Sequence, residues 1–156
     1  MNQELPQLID ESIKLEENVA NLYLYLYKQF PEDSDFWWEM QLEEKKHATL
    51  IRDSKDPLLS QDIFPSELLS SSLETLIGVN NKLISLMNDF NENPPSREAA
   101  FNAALEVERS AGEIHFNNAM DKTSSSGVMK VFQELTDDDK DHVNRILYYM
   151  KDKGIG

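Results

Sequence analysis

Glu44-Lys45-Lys46-His47 and Asp139-Lys140-Asp141-His142 share one spacing, a carboxylate three residues before an imidazole. On a helix, that spacing aims both side chains at one spot on one face. The surroundings make the pair informative. Trp37, Met40, Glu44, His47 and Ile51 recur at steps of 3, 4, 3 and 4, and Phe132, Leu135, Asp139, His142 and Ile146 repeat those steps. This is the period of a buried helical stripe. Each carboxylate and each histidine therefore occupies a position that an apolar residue would fill. Burying a neutral polar group unpaired costs roughly 2–7 kcal/mol, and a lone charge far more. These groups need partners inside the fold.

Two further stripes supply them. Ile9, Ile13, Glu16, Ala20, Tyr23 and Tyr27 follow the same steps as Phe101, Leu105, Glu108, Gly112, His115 and Ala119, at an offset of 92 residues. The first pair of stripes repeats at an offset of 95. The chain reads as a duplicated helix pair with a segment inserted between the copies.

At 156 residues, one domain spanning 1–156 is expected, with enough chain to bury a core. Five glycines, six prolines and few alternating runs favour an all-α fold. The net charge of −14 argues against nucleic-acid and anionic-membrane surfaces, which call for basic patches. The absence of cysteine excludes disulfides, thiolate catalysis, zinc ribbons and cysteine-ligated iron–sulfur clusters. Met1 to Pro6 lacks the basic start and apolar run of a signal peptide. No window approaches the roughly 20 apolar residues of a membrane span. A soluble, cytoplasmic protein is the expectation.

In chain order, a first helix is expected from Pro6 to Phe30, ended by Pro31. Ser34 or Asp33 caps a second, which Lys55-Asp56-Pro57 stops near Ser54. Residues 57–71 form a loop, and Ser71-x-x-Glu74 resembles a capping box. It opens a middle helix with the stripe Leu73, Leu76, Ile77, Leu83, Ile84, Met87 and Phe90, in which Asn80 is a local hydrogen-bonding group. That helix crosses over outside the bundle or against a second subunit. Ser96 caps a helix reaching Lys122, and the last runs from Val128 to Lys151, with Gly154 and Gly156 fraying its end. With a rise of about 1.5 Å per residue, the hairpins bring the stripe groups to one height. Glu16, Glu44, Glu108, Asp139, His47 and His142 then converge inside a four-helix bundle. Without lysine or arginine in the stripes, two divalent cations are the natural counter-charge. Oxygen and nitrogen donors without sulfur suit iron or manganese, with zinc as an alternative.

A glutamate from each of two helices plus Glu-x-x-His from each of two others resembles the ligand plan of the ferritin-like diiron-carboxylate proteins. Leu15-Glu16 and Val107-Glu108, with Tyr23 and His115 seven residues on, are similar to the first and third helices of rubrerythrin-like proteins. Phe36-Trp37 through Glu43-Glu44 to His47-Ala48, and Phe132 through Leu135-Thr136 to Asp139 and His142, are similar to the second and fourth. The resemblance covers nearly the whole chain except the middle helix. It implies a ferritin-like four-helix bundle with a long crossover carrying an extra helix. It also implies two iron ions held by Glu16, Glu44, His47, Glu108, Asp139 and His142, with Tyr23 and His115 behind the ligands. The implied activity is oxidation chemistry with hydrogen peroxide, dioxygen or ferrous iron, an external electron donor, and a homo-oligomer of two or more subunits.

The chain departs from that plan in three ways. Asp139 replaces a glutamate, Ala111 stands where rubrerythrins carry an additional glutamate (Glu113 is out of phase), and no rubredoxin-like module is present. Iron storage or metal handling without turnover, and a metal-free helical scaffold, are the alternative functions.

Overall fold

The computed structural model describes residues 5–60, 73–116 and 141–156, and within these all side chains except those at 5, 54, 56–60 and 111–116. The described residues are all-helical, as expected, and contain no strand. None of their helices is long and apolar enough to cross a membrane.

Helix α1 spans Leu5–Gln29. Pro31 cannot extend it, and the chain turns through a 3-10 turn, Pro31–Asp33, into α2, Ser34–Ser60. The two are antiparallel: Asp10 pairs with Lys55, Glu17 with Arg52, and Tyr27 packs on Trp38. Between these rims, Ile9, Ile13, Tyr23, Trp37, Met40 and Ile51 are buried, as the 3-and-4 period requires.

α2 runs past the expected stop. Pro57 lies within it instead of ending it. A proline removes the one hydrogen bond its N–H would give, here to the carbonyl of Asp53, and can kink a helix without stopping it. Ile51 and Lys55, just before it, are held against α1. The expected cap changes role too. Asp33 precedes α2, but its carboxylate turns inward and accepts hydrogen bonds from Arg97 and Tyr149.

Helix α3, Leu73–Glu92, is the inserted one. It runs parallel to α1 and packs on α1 and on α4. Its buried Asn80 hydrogen-bonds as expected, but across to α1 and not locally. The amide donates to the carbonyl and carboxylate of Glu11, at 3.1 and 2.8 Å, and accepts from Asn18 at 3.0 Å. Tyr25 faces the same helix, donating to the carbonyl of Phe90 at 2.9 Å.

Helix α4, Arg97–Phe116, begins where Ser96 was expected to cap it, with Ala99 N–H donating to Ser96 Oγ at 3.1 Å. A last helix, α5, is described over 141–153. Its end is a closed motif, not the frayed one expected. Gly154 adopts a φ of 68°, Ile155 N–H reaches the carbonyl of Met150, and Gly154 N–H reaches that of Lys151. This left-handed cap buries Ile155 against the core. Asp139, the continuation of α4 to Lys122, the start of the last helix and the turn at Ser124–Gly127 lie outside the described residues.

Candidate metal centre

The stripe period places Glu16 on α1, Glu44 and His47 on α2, Glu108 on α4 and His142 on α5, and all five are buried. They form two clusters, Glu16 with Glu44 and His47, and Glu44 with Glu108 and His142. Within each cluster the donor atoms lie within 4.8 Å of one another. Five of the six expected ligands are therefore brought together. Asp139 and the side chain of His115 lie outside the described residues.

Glu44 belongs to both clusters, and its two oxygens divide between them. Oε2 lies 3.6 Å from His47 Nδ1, and Oε1 lies 2.9 Å from His142 Nδ1. His47 Nδ1 is also 3.6 Å from Glu16 Oε2, and His142 Nδ1 is 3.4 Å from Glu108 Oε1. The two imidazoles lie nearly parallel, 18° apart, with centroids separated by 5.7 Å.

These distances test whether metals fit. Donors bound to one cation at about 2.0–2.2 Å stand about 3 Å apart when they subtend a right angle, and about 3.5 Å apart at a tetrahedral angle. The observed 2.9–3.6 Å spans that range. Both imidazoles turn Nδ1, a nitrogen able to ligate a metal, toward the carboxylates of their cluster. A carboxylate presenting one oxygen to each cluster is the geometry of a bridge. The residues present fit a pair of cations with oxygen and nitrogen ligands.

Without cations the imidazoles supply the counter-charge. Burial pulls the His47 pKa down, but Glu16 and Glu44 outweigh it and push it up to about 11. Burial likewise opposes the rise of His142, which Glu108, Glu43 and Glu44 drive. Metal binding must displace these protons, since a ligating imidazole is neutral.

The positions next to the ligands are also occupied. Tyr23, the expected supporting tyrosine, donates a hydrogen bond to Glu108 Oε1. Two residues escaped the sequence reading. Glu43 Oε2 lies 3.0 Å from His142 Nε2 and accepts from Arg145 at 2.5 Å. His142 draws the Glu43 carboxyl down to about 2, against burial and with help from Arg145. Such a carboxylate fixes which imidazole nitrogen faces the ligands. The signal was adjacency: Glu43 precedes Glu44, and Arg145 lies one turn after His142, just off the stripe in which no basic residue was seen.

Compared with known protein families, characterised proteins and solved structures, the chain matches none.

Proposed function

We propose that this chain is a dinuclear metal-carboxylate protein of the ferritin-like four-helix kind, with its middle helix carried on the crossover. We further propose that it is an oxidoreductase acting on hydrogen peroxide or dioxygen with iron as its metal. One observation carries the reading: two buried carboxylate–histidine clusters, drawn from four helices, share Glu44, which offers one oxygen to each. Four-helix interiors that hold paired metals use this donor set.

In this reading, Glu16, Glu44 and His47 hold one ion, and Glu44, Glu108 and His142 hold the other, with Asp139 as a sixth ligand. A bound iron pair would supply two electrons to an oxygen–oxygen bond. The chain's own residues do the rest. Glu44 ties the two positions together. Glu43 and Arg145 lock the His142 ring with Nδ1 inward. Tyr23 holds Glu108 Oε1, so that carboxylate keeps its orientation when the charge beside it changes. Trp37, Met40 and Ile51 flank the ligand positions on α2, are fully buried, and exclude water.

The reading is tested by mixing anaerobic ferrous-loaded protein with hydrogen peroxide and following ferric absorption. Stoichiometric oxidation, absent from a Glu44→Ala variant, is the result expected. Oxidation no faster than that of free ferrous iron would overturn it.

A further inference from the structure

Tyr23 begins an unbroken run of aromatic rings leading away from the clusters. It stacks on Trp37 with centroids 5.4 Å apart. Trp37 lies 5.0 Å from Phe36 and 4.6 Å from Phe101. Those two rings lie 4.3 and 5.5 Å from Tyr149. The run ends at a half-buried phenol beside Lys153, whose Nζ lies 5.7 Å from the ring centroid.

Packing alone does not explain the choice of residues. The indole N–H of Trp37 is buried and finds no hydrogen-bond partner among the described residues, and an orphaned donor costs about 1–3 kcal/mol. A phenylalanine at this position would avoid that cost. The two tyrosines share a second feature. Each donates its phenolic hydrogen to a carboxylate, Tyr23 to Glu108 and Tyr149 to Asp33 Oδ1, the latter at 2.7 Å. A phenol gives up an electron readily only when its proton has an acceptor. Tyrosine and tryptophan are the side chains here that can be oxidised by one electron, and the phenylalanines bridge the gap between them.

We propose that Tyr149, the Phe36 and Phe101 rings, Trp37 and Tyr23 form a one-electron path from the surface to the candidate metal site. The path rests on the redox reading of that site given above. Reduction of one dioxygen to two waters takes four electrons and four protons. The protons come from solvent, a bound iron pair would give two of the electrons, and the other two come singly along the path, with an external one-electron reductant supplying them and restoring the iron pair. For each of these two electrons, Tyr23 gives one toward the site as its phenolic proton passes to Glu108 Oε1, and regains both as Trp37 is oxidised in turn. Trp37 regains the electron from Tyr149 across the phenylalanine rings. Tyr149 passes its phenolic proton to Asp33 Oδ1 as it is oxidised. The reductant then restores the electron to Tyr149, Asp33 returns the proton, and every side chain ends as it began.

The test is rapid-freeze electron paramagnetic resonance of ferrous-loaded protein mixed with dioxygen in the absence of reductant, with ring-deuterated tyrosine identifying the radical. A radical on Tyr149 is expected in the unaltered chain and in Tyr148→Phe; in Tyr149→Phe that signal should be lost and the radical should remain on Trp37 or Tyr23. In Trp37→Phe the radical should be confined to Tyr23, and Trp37→Tyr should restore the Tyr149 signal. Iron uptake should be the same in all of them. Identical spectra in the unaltered chain, Tyr149→Phe and Trp37→Phe, or no aromatic radical at all, would overturn the path while leaving the metal reading intact. A chain that takes up no ferrous iron would instead overturn the metal reading, and the path with it.

Discussion

Arg97→Met is expected to destabilise the protein far more than the loss of a surface ion pair. Asp33 is 1 % exposed. Its carboxylate accepts from Arg97 Nε at 2.8 Å, from an Arg97 terminal nitrogen at 2.6 Å and from Tyr149 at 2.7 Å. Removing the guanidinium leaves a buried charge with one hydrogen bond among those three. Breaking a buried pair costs about 3–5 kcal/mol, whereas exposed pairs contribute about 0–1. Arg97 is itself about one-third exposed, so the low end, about 3 kcal/mol, applies. For a chain of this size, that lowers Tm by about 6–12 °C. A double-mutant cycle with Asp33→Asn supplies the control. Once the carboxylate is neutral, loss of Arg97 should cost about 1 kcal/mol or less, giving a coupling within the range of groups in contact. The pH dependence has a definite sign. Burial alone would raise the Asp33 pKa, but Arg97 and Tyr149 hold it below the usual carboxylate range. The stabilisation is therefore fully present above the unfolded value, about 3.9, and is lost as pH falls through the lower folded value. Arg97→Met should lose this acid-limb dependence. Thermal unfolding monitored by circular dichroism from pH 2 to pH 7 reads both effects. A cost below about 1 kcal/mol, with an unchanged acid limb, would refute the reasoning.

Asn80→Ala removes the amide that joins α3 to Glu11 and Asn18. Denaturant unfolding should show a loss of about 1–3 kcal/mol with metal stoichiometry unchanged, because α3 contributes no ligand. Trp37→Ala empties the centre of the aromatic cluster and should cost about 3–5 kcal/mol by the same assay. Metal uptake should release protons from His47 and His142, so apparent affinity for cobalt(II), measured by calorimetry in buffers of differing ionisation enthalpy, should rise with pH.

Most of the centre was legible because a polar residue in an apolar stripe is a strong anomaly. Glu16, Glu44, His47, Glu108 and His142 each broke a 3-and-4 pattern, and the matching phase of four stripes placed them at one height. Asn80 was legible for the same reason, and its hydrogen-bonding role followed from its chemistry. What failed had no such signature. Glu43 and Arg145 sit off the stripes and look like ordinary surface charges until α2 and α5 come together. Asp33 looked like a helix cap because caps are local, while its pairing with Arg97, 64 residues away, is not. Pro57 and the glycines near the end were read by residue type alone. At the first, α1 holds the preceding turns of α2. At the second, burial of Ile155 favours a closed cap over fraying.

The most direct test of the two-cation centre is an anaerobic ferrous titration of the chain prepared without chelator, with bound iron counted by elemental analysis. Two ions per chain are predicted, with Glu16→Ala retaining one and Glu44→Ala retaining neither, because Glu44, alone among the described residues, serves both clusters. Equal loss in the two variants would contradict a shared Glu44, and no bound iron in the unaltered chain would contradict the metal centre itself.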